Sequence, residues 1–255
     1  MRARRLALAR AVAQALLLTQ WRVSSAQCQG ASLRLLVINV TKWGPQAAGY
    51  FNQLDSDIGF VAEHHLAPKR TKQLFKEVGR ASYSAAVSGA VPGVGGGTSA
   101  GVAVIWRKRL SCEPVWLDSF PERSGQLALA KLNMKGGSQL LLGTAYLWTG
   151  QANGACNQQL LASIATAVAS TGLPWLLFGD WQMSPQQMQS TGWPSAQGCH
   201  ILAQLAELTG TCWQGAESTY IDYFVASCWA APPRARQRSI SGMSMRHSCS
   251  HPSRF

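Results

Sequence analysis

The sequence predicts a single layered α/β sandwich, and three observations carry that prediction. Apolar runs of strand length recur along most of the chain, the helical segments between them are few and short, and several runs close on an isolated polar residue. Of the 255 residues, 47% are hydrophobic, enough for one sizeable core. No internal repeat is visible and no linker divides the core. The domain is therefore set at residues 31–227, between an N-terminal segment (1–30) and a basic tail (228–255).

Taken in order, Leu33-Arg34-Leu35-Leu36-Val37-Ile38 reads as a strand ending at Asn39. Gly44-Pro45 punctuates, and Pro45 suits the first turn of a helix reaching about Leu54. Ile58–Ala62 reads as a buried strand ending at Glu63, and Pro68–Val78 as an amphipathic helix with Leu74, Phe75 and Val78 on its apolar side. Ser82–Val87 reads as a strand, Ser88–Ser99 as a glycine-rich loop and Ala100–Trp106 as the next strand. Gln126–Asn133 and Gln139–Tyr146 form a strand pair across the turn Lys135-Gly136-Gly137. Asn157–Ala169 is predicted helical, and Trp175–Phe178 is a buried strand ending at Gly179-Asp180. Ser184-Pro185 has the signature of a helix start, and Thr219–Ala226 reads as a strand.

Charge is sparse but lopsided: 13% of residues are charged, with a formal net charge of +12. Five arginines and no acid lie in the first 30 residues, and five more without an acid lie from Cys228 to Phe255. What remains is 13 basic and 11 acidic residues, a core of +2. The basic excess is thus a property of the ends and does not by itself describe a shaped polyanion groove. The composition excludes a disordered acidic chain, a collagen-like repeat and a long coiled coil. No apolar run reaches the roughly 18–20 residues of a membrane span. The 7 cysteines are scattered with no C-x-x-C pair, which leaves a zinc knuckle or a thioredoxin-type site unsupported.

Arg2, Arg4 and Arg5 precede an apolar stretch, and Ser24-Ser25-Ala26 offers small residues suited to signal cleavage. The segment is compatible with a secretory signal or, being rich in arginine and free of acids, with an organelle presequence. It is excluded from the predicted fold.

The easy motifs fail. The loop containing Gly95-Gly96-Gly97 lacks the Gly-Lys-Ser/Thr of a phosphate loop, and no G-x-S-x-G elbow occurs. His64-His65 beside Glu63 lacks zinc-site spacing and reads as a solvated corner at a strand end.

What remains are polar residues closing apolar strands: Asn39, Glu63, Tyr146, Asp180 and Asp222. In α/β folds such strand ends project side chains into a shared crevice. A glutamate such as Glu63 is a hard oxygen donor suited to Mg²⁺, Asp180 can orient or deprotonate a water, and Asn39 and Tyr146 can hold phosphate oxygens. Each alone has a plain alternative as a turn former, strand-end cap or core aromatic; their order and spacing set them apart.

The chain resembles the endonuclease/exonuclease/phosphatase superfamily, with its deoxyribonuclease-I-like fold, from about Leu33 to Ser227. Leu35-Leu36-Val37-Ile38-Asn39-Val40 is similar to the family's first strand with its catalytic asparagine, and Val61-Ala62-Glu63-His64-His65 to the metal-binding glutamate motif. Gly97-Thr98-Ser99-Ala100-Gly101-Val102-Ala103-Val104 resembles a glycine-led structural strand. Gly143-Thr144-Ala145-Tyr146 is similar to the segment with a phosphate-contacting tyrosine or histidine. Leu177-Phe178-Gly179-Asp180-Trp181-Gln182-Met183-Ser184-Pro185 resembles the family's Gly-Asp-Phe-Asn motif. Ser218-Thr219-Tyr220-Ile221-Asp222-Tyr223-Phe224 resembles the penultimate strand with its active-site aspartate.

The resemblance implies a four-layer α/β sandwich of two mixed sheets flanked by helices, and a divalent-metal-dependent phosphodiester or phosphomonoester hydrolase. Carried over, it implies catalytic roles for Asn39, Tyr146, Asp180, Gln182, Asp222 and His251. Glu63 and Asn39 would hold Mg²⁺ or Mn²⁺. The implied partner is nucleic acid or another phosphate ester, and the default oligomeric state is monomer.

Three departures bear on activity. Gln182 stands where the family has asparagine, and its extra methylene moves the amide. Thr41 occupies a place where some members add an acidic ligand. Ser250 precedes His251 where the family has aspartate, so the histidine lacks its orienting carboxylate; His247 is a weaker substitute. The tail is accordingly expected to be poorly ordered or an incomplete last strand, as at a truncated or frameshifted gene end. These departures support an alternative, an inactive member that binds nucleic acid or protein, such as a remnant of a mobile-element endonuclease. A phosphatase of small or lipid-linked phosphates ranks third. Trp43, Trp106, Trp148, Trp181 and Trp193 are read as covering sheet edges rather than stacking on bases.

Overall fold

A computed structural model of the chain describes residues 19–24, 32–40, 42–53, 55–79, 82–93, 97–117, 125–202, 212–214, 217–227 and 245–247. In chain order the elements are β1 (Thr19–Ser24), β2 (Ser32–Asn39), α1 (Pro45–Gln53), β3 (Ile58–Ala62), α2 (Thr71–Gly79), β4 (Tyr83–Ser88), β5 (Val91–Pro92) and β6 (Thr98–Ser99). There follow β7 (Val102–Arg107), β8 (Cys112–Val115), β9 (Leu127–Asn133), β10 (Gln139–Tyr146), α3 (Ala155–Thr171) and β11 (Trp175–Asp180). Last come α4 (Pro185–Ser190), α5 (Trp193–Ala196), β12 (Cys199–Leu202), β13 (Cys212–Gln214), β14 (Glu217–Thr219), β15 (Asp222–Ser227) and β16 (Met245–His247).

Two six-stranded sheets dominate, ordered β16-β1-β2-β3-β7-β4 and β12-β15-β11-β10-β9-β8. Each is mixed: β2/β3 and β10/β11 are parallel and the other pairs antiparallel. Alternation along the strands sorts the apolar side chains. Leu35, Val37, Phe60 and Val104 of the first sheet meet Leu142, Phe178 and Phe224 of the second. The Phe60 and Phe224 rings lie 5.1 Å apart, edge to face. Leu36 and Ile38 turn the other way, onto Phe51 of α1 and Leu74 and Val78 of α2. Behind the second sheet, Leu141, Leu177 and Val225 pack on Leu160, Leu161 and Ile164 of α3. Helices, sheet, sheet, helices: the expected four-layer α/β sandwich of two mixed sheets is the observed architecture.

The differences have local causes. Thr19–Ser24, read as outside the fold, pairs along its length with Ser32–Asn39, and Met245–His247 from the tail pairs with Thr19–Trp21. Strand β8 was not expected because Pro114 breaks the apolar pattern; it lies at the sheet edge, where a missing N–H costs no ladder bond. The cap at Ser184 forms as predicted, a capping box with Gln187. Gly95 and Gly96 lie outside the described residues. Among the described residues no helix is long and apolar enough to cross a membrane.

His64 is a correction. It is fully buried, and its ring is fixed on both sides: Nδ1 accepts from the Leu66 N–H at 3.0 Å, and Nε2 faces the Ser88 carbonyl at 3.1 Å. A backbone N–H only donates and a carbonyl only accepts, so the ring is the neutral Nε2–H tautomer. Burial holds its pKa down to about 4. The pair reads as a solvated corner only if the strand ends there. Instead the His64 and His65 N–H groups continue onto the Gly101 and Ala100 carbonyls. Gly101 has φ +92°, and a β-carbon there would stand 2.6 Å from His64 Cε1. Gly101→Ala is thus expected to cost about 2–4 kcal/mol from backbone strain and the clash. Urea unfolding beside the parent chain checks this.

Candidate active site

Strand register gathers the polar residues before any side chain is considered. Asn39 ends β2 opposite Ala62 of parallel β3, so Glu63 emerges beside it. In the facing sheet Tyr146 pairs with Asp180, and Asp180 pairs with Asp222. These last three sit in one row at one end of the second sheet.

Hydrogen bonds then join the two sheets. Asn39 Nδ2 donates to Asp180 Oδ2 at 3.0 Å and to Asp222 Oδ1 at 2.9 Å. The Tyr146 hydroxyl bonds Thr149 Oγ1 at 2.8 Å and interacts electrostatically with Glu63. Gln182 Nε2 donates to Asp180 Oδ1 at 2.7 Å. Asn39, Asp180, Gln182 and Asp222 are joined by hydrogen bonds, and Glu63 and Tyr146 lie within electrostatic reach of Asp180. Gln182 spends its amide on Asp180, which is what the added methylene allows.

Gly179 precedes Asp180 for a packing reason. A β-carbon there would fall 2.3 Å from Cε2 of Trp181, whose ring is fully buried and donates from Nε1 to the Tyr223 carbonyl at 2.9 Å. The Gly-Asp-Trp segment is thus locked between the sheet and the α3 layer. Strain accompanies it: Glu63 (φ 57°) and Gln182 (φ 52°) both hold left-handed backbone conformations that non-glycine residues seldom take. Such positions cost about 1–3 kcal/mol each. Here both aim polar side chains at the same cluster.

The electrostatics are unbalanced. Burial first, then the charges of Asp222 and Glu63, push the Asp180 carboxyl well above the ordinary range, against hydrogen bonds from Asn39 and the Gln182 backbone. Burial also raises Glu63, opposed by Tyr146 and His65. Burial and the Glu63 charge push the Tyr146 hydroxyl up, so it remains a donor across the neutral range. Among the described residues no group of three or more His, Cys, Asp and Glu is arranged to hold a metal unaided. The donor set instead fits a hard cation that keeps most of its waters and takes one or two protein oxygens. With Nδ2 of Asn39 committed to the aspartates, its Oδ1 is the atom left to offer such a cation.

His251, Thr41 and Ser250 lie outside the described residues. His247 ends β16, whose chain direction carries it toward the same end of the first sheet as Asn39. Two residues of the site escaped the sequence reading. Thr149, which holds the Tyr146 hydroxyl, sits in a loop with no motif. Gln126 accepts from the Tyr146 N–H through its carbonyl at 2.9 Å; alternation from Ala128 and Ala130 would have placed its side chain on the site face. Of the tryptophans considered, Trp43, Trp106, Trp181 and Trp193 are buried, and Trp106 sits in β7, inside the first sheet rather than at its edge.

No family model matches the chain, and no curated protein matches it in sequence. Solved structures do match. An AP endonuclease, LMAP, from Leishmania major superposes with a TM-score of 0.57 at 12% identity, covering 76% of this chain and 78% of that one. The 3' phosphatase NExo from Neisseria, bound to a product DNA hairpin, gives a TM-score of 0.54 at 16% identity, covering 80% and 88%. Humanized TDP2 from D. rerio gives a TM-score of 0.54 at 18% identity, covering 78% and 85%. The chain has the deoxyribonuclease-I-like fold of the endonuclease/exonuclease/phosphatase proteins.

Proposed function

We propose that this chain is a divalent-metal-dependent phosphodiester hydrolase acting on nucleic acid. The observation that carries the reading is the Asn39 amide bridging Asp180 and Asp222 across two sheets, with Glu63 and Tyr146 beside it. The fold it shares with an AP endonuclease and a DNA-bound 3' phosphatase supports the same chemistry.

Glu63 and Asn39 Oδ1 would hold Mg²⁺ or Mn²⁺, which supplies charge neutralisation at the phosphate. Tyr146 donates to a phosphate oxygen, and Asn39 keeps Asp180 and Asp222 in place. Asp180, raised by its buried setting, takes the proton of an attacking water more readily than an ordinary carboxylate. Gln182 orients Asp180, and Asp222 orients Asn39. His251 would act on the phosphate or the nucleophile.

Cleavage of a labelled oligonucleotide with Mg²⁺ or Mn²⁺ tests the reading against Glu63→Ala and Asp180→Ala; equal rates in all three proteins would remove it. Mg²⁺ should also raise the thermal midpoint by a few degrees at ten to a hundred times its Kd, and Glu63→Gln should abolish that gain. Differential scanning fluorimetry at several Mg²⁺ concentrations reads this without any turnover.

A second reading, an inactive fold that binds nucleic acid, is favoured by the Gln182 amide being turned onto Asp180 rather than left for substrate. Salt-dependent binding without cleavage would select it.

A further inference from the structure

We infer that the rim carries a subsite running from Tyr146 across Gln126 to Trp116, and that it takes one unpaired nucleotide beside the phosphate handled by the polar cluster. The inference rests on the phosphodiesterase reading and names the form of substrate.

Gln126 immediately precedes β9, beside Tyr146, and is 1% exposed, yet its Nε2 has no hydrogen-bond partner. A buried amide donor left unpaired is a cost the fold does not recover internally. Its side chain lies on the same face as Ala128, which packs with Tyr146, Ala100 and Val102 where the two sheets open at the site. An acceptor oxygen or ring nitrogen entering beside Tyr146 is what this group lacks.

Trp116 supplies the second half. Val115 and Leu117 turn outward onto the α3 side, and Cys112 turns inward between the sheets. Trp116 therefore faces the same side as Gln126 and Tyr146. Continued one residue past Val115, the β8–β9 register places it level with Ala128 and Thr144, one step below the row of Gln126 and Tyr146. It is 66% exposed and, among the described residues, is the large hydrophobic side chain left in solvent. Strand β8 lies two strands from β10, about 10 Å, of the order of one nucleotide's length. An indole face beside a lone amide donor matches a base, which offers a π surface for stacking and acceptors for the amide. A paired base presents no such face, so the strand must be single here.

The test measures binding and cleavage separately. A labelled single-stranded oligonucleotide is titrated with the full chain in EDTA, and anisotropy is read for the parent, Gln126→Leu and Trp116→Ala. Each substitution should weaken binding about five- to twenty-fold. Gln126→Leu should leave the thermal midpoint unchanged or higher. The Trp116→Ala loss should vanish on an abasic strand. Unchanged affinity in both variants, a lower midpoint for Gln126→Leu, an equal loss on the abasic strand, or no binding by the parent overturns the subsite. If the parent cleaves with Mg²⁺ while both variants bind normally, the subsite is wrong and the hydrolase stands. If the variants lose affinity but the parent never cleaves, the subsite stands and hydrolysis is wrong.

Discussion

An Asp180→Asn variant is expected to fold at least as stably as the parent and to cleave phosphodiesters about a thousand-fold more slowly. Asp180 is buried against Asp222, its cross-strand partner, and feels Glu63 as well. Like charges opposed on adjacent strands destabilise a sheet, and burial in low dielectric aggravates the repulsion. Asparagine removes the charge but keeps an oxygen to accept from Asn39 Nδ2, which now donates at 3.0 Å. Its new amide nitrogen takes the place of Oδ1, so the Gln182 amide, which donates there at 2.7 Å, has to turn and present its own oxygen. What is lost is the oxygen proposed to take a proton from water.

Asp180→Ala should lose activity equally but behave differently in stability. It strands the Gln182 amide and leaves Asn39 Nδ2 with Asp222 alone, a cost of about 1–3 kcal/mol. Urea unfolding and oligonucleotide cleavage, measured on both variants, separate the two effects. An asparagine variant that cleaves within ten-fold of the parent would deny Asp180 a place in the chemistry.

Much of this site is legible from strand ends alone. Asn39, Glu63, Tyr146, Asp180 and Asp222 each close an apolar run, and in a layered sandwich the run fixes where the next side chain emerges. The elements that resisted were those with weak local pattern. Cys112–Val115 carries a proline, Cys199–Leu202 has only four residues, and Thr19–Ser24 follows an arginine-rich stretch that reads as a leader. Pairing with a neighbour, not propensity, makes these strands. Gln126 stands out only weakly, for another reason. A glutamine at the head of a strand looks like any boundary residue until register sets it against Tyr146 and burial shows its amide unpaired. His64 was misread because its partners, Leu66 N–H and the Ser88 carbonyl, belong to backbone that only the fold brings around the ring.

That ring makes acid the second large lever. His64 is neutral in the fold, with its pKa held down to about 4 by burial, whereas in the unfolded chain it titrates near 6.5. Between those values the unfolded state binds a proton that the native state refuses, so stability rises with pH through this window. The His64 contribution is complete above about pH 6.5 and is lost as pH falls toward 4, a change of about 3 kcal/mol. The raised carboxyls act oppositely: Glu63 and Asp180 bind protons more readily when folded, so acid relieves their repulsion. The parent's pH profile is therefore a sum of opposed terms, and the histidine term must be taken by difference. His64→Gln keeps a polar side chain that does not titrate. Urea unfolding of both proteins at pH 7.5 and 4.5 should find the variant much less stable than the parent at the higher pH. At the lower pH the gap should close by about 2–3 kcal/mol. A gap that stays constant between the two pH values would mean that the buried imidazole accepts its proton without penalty.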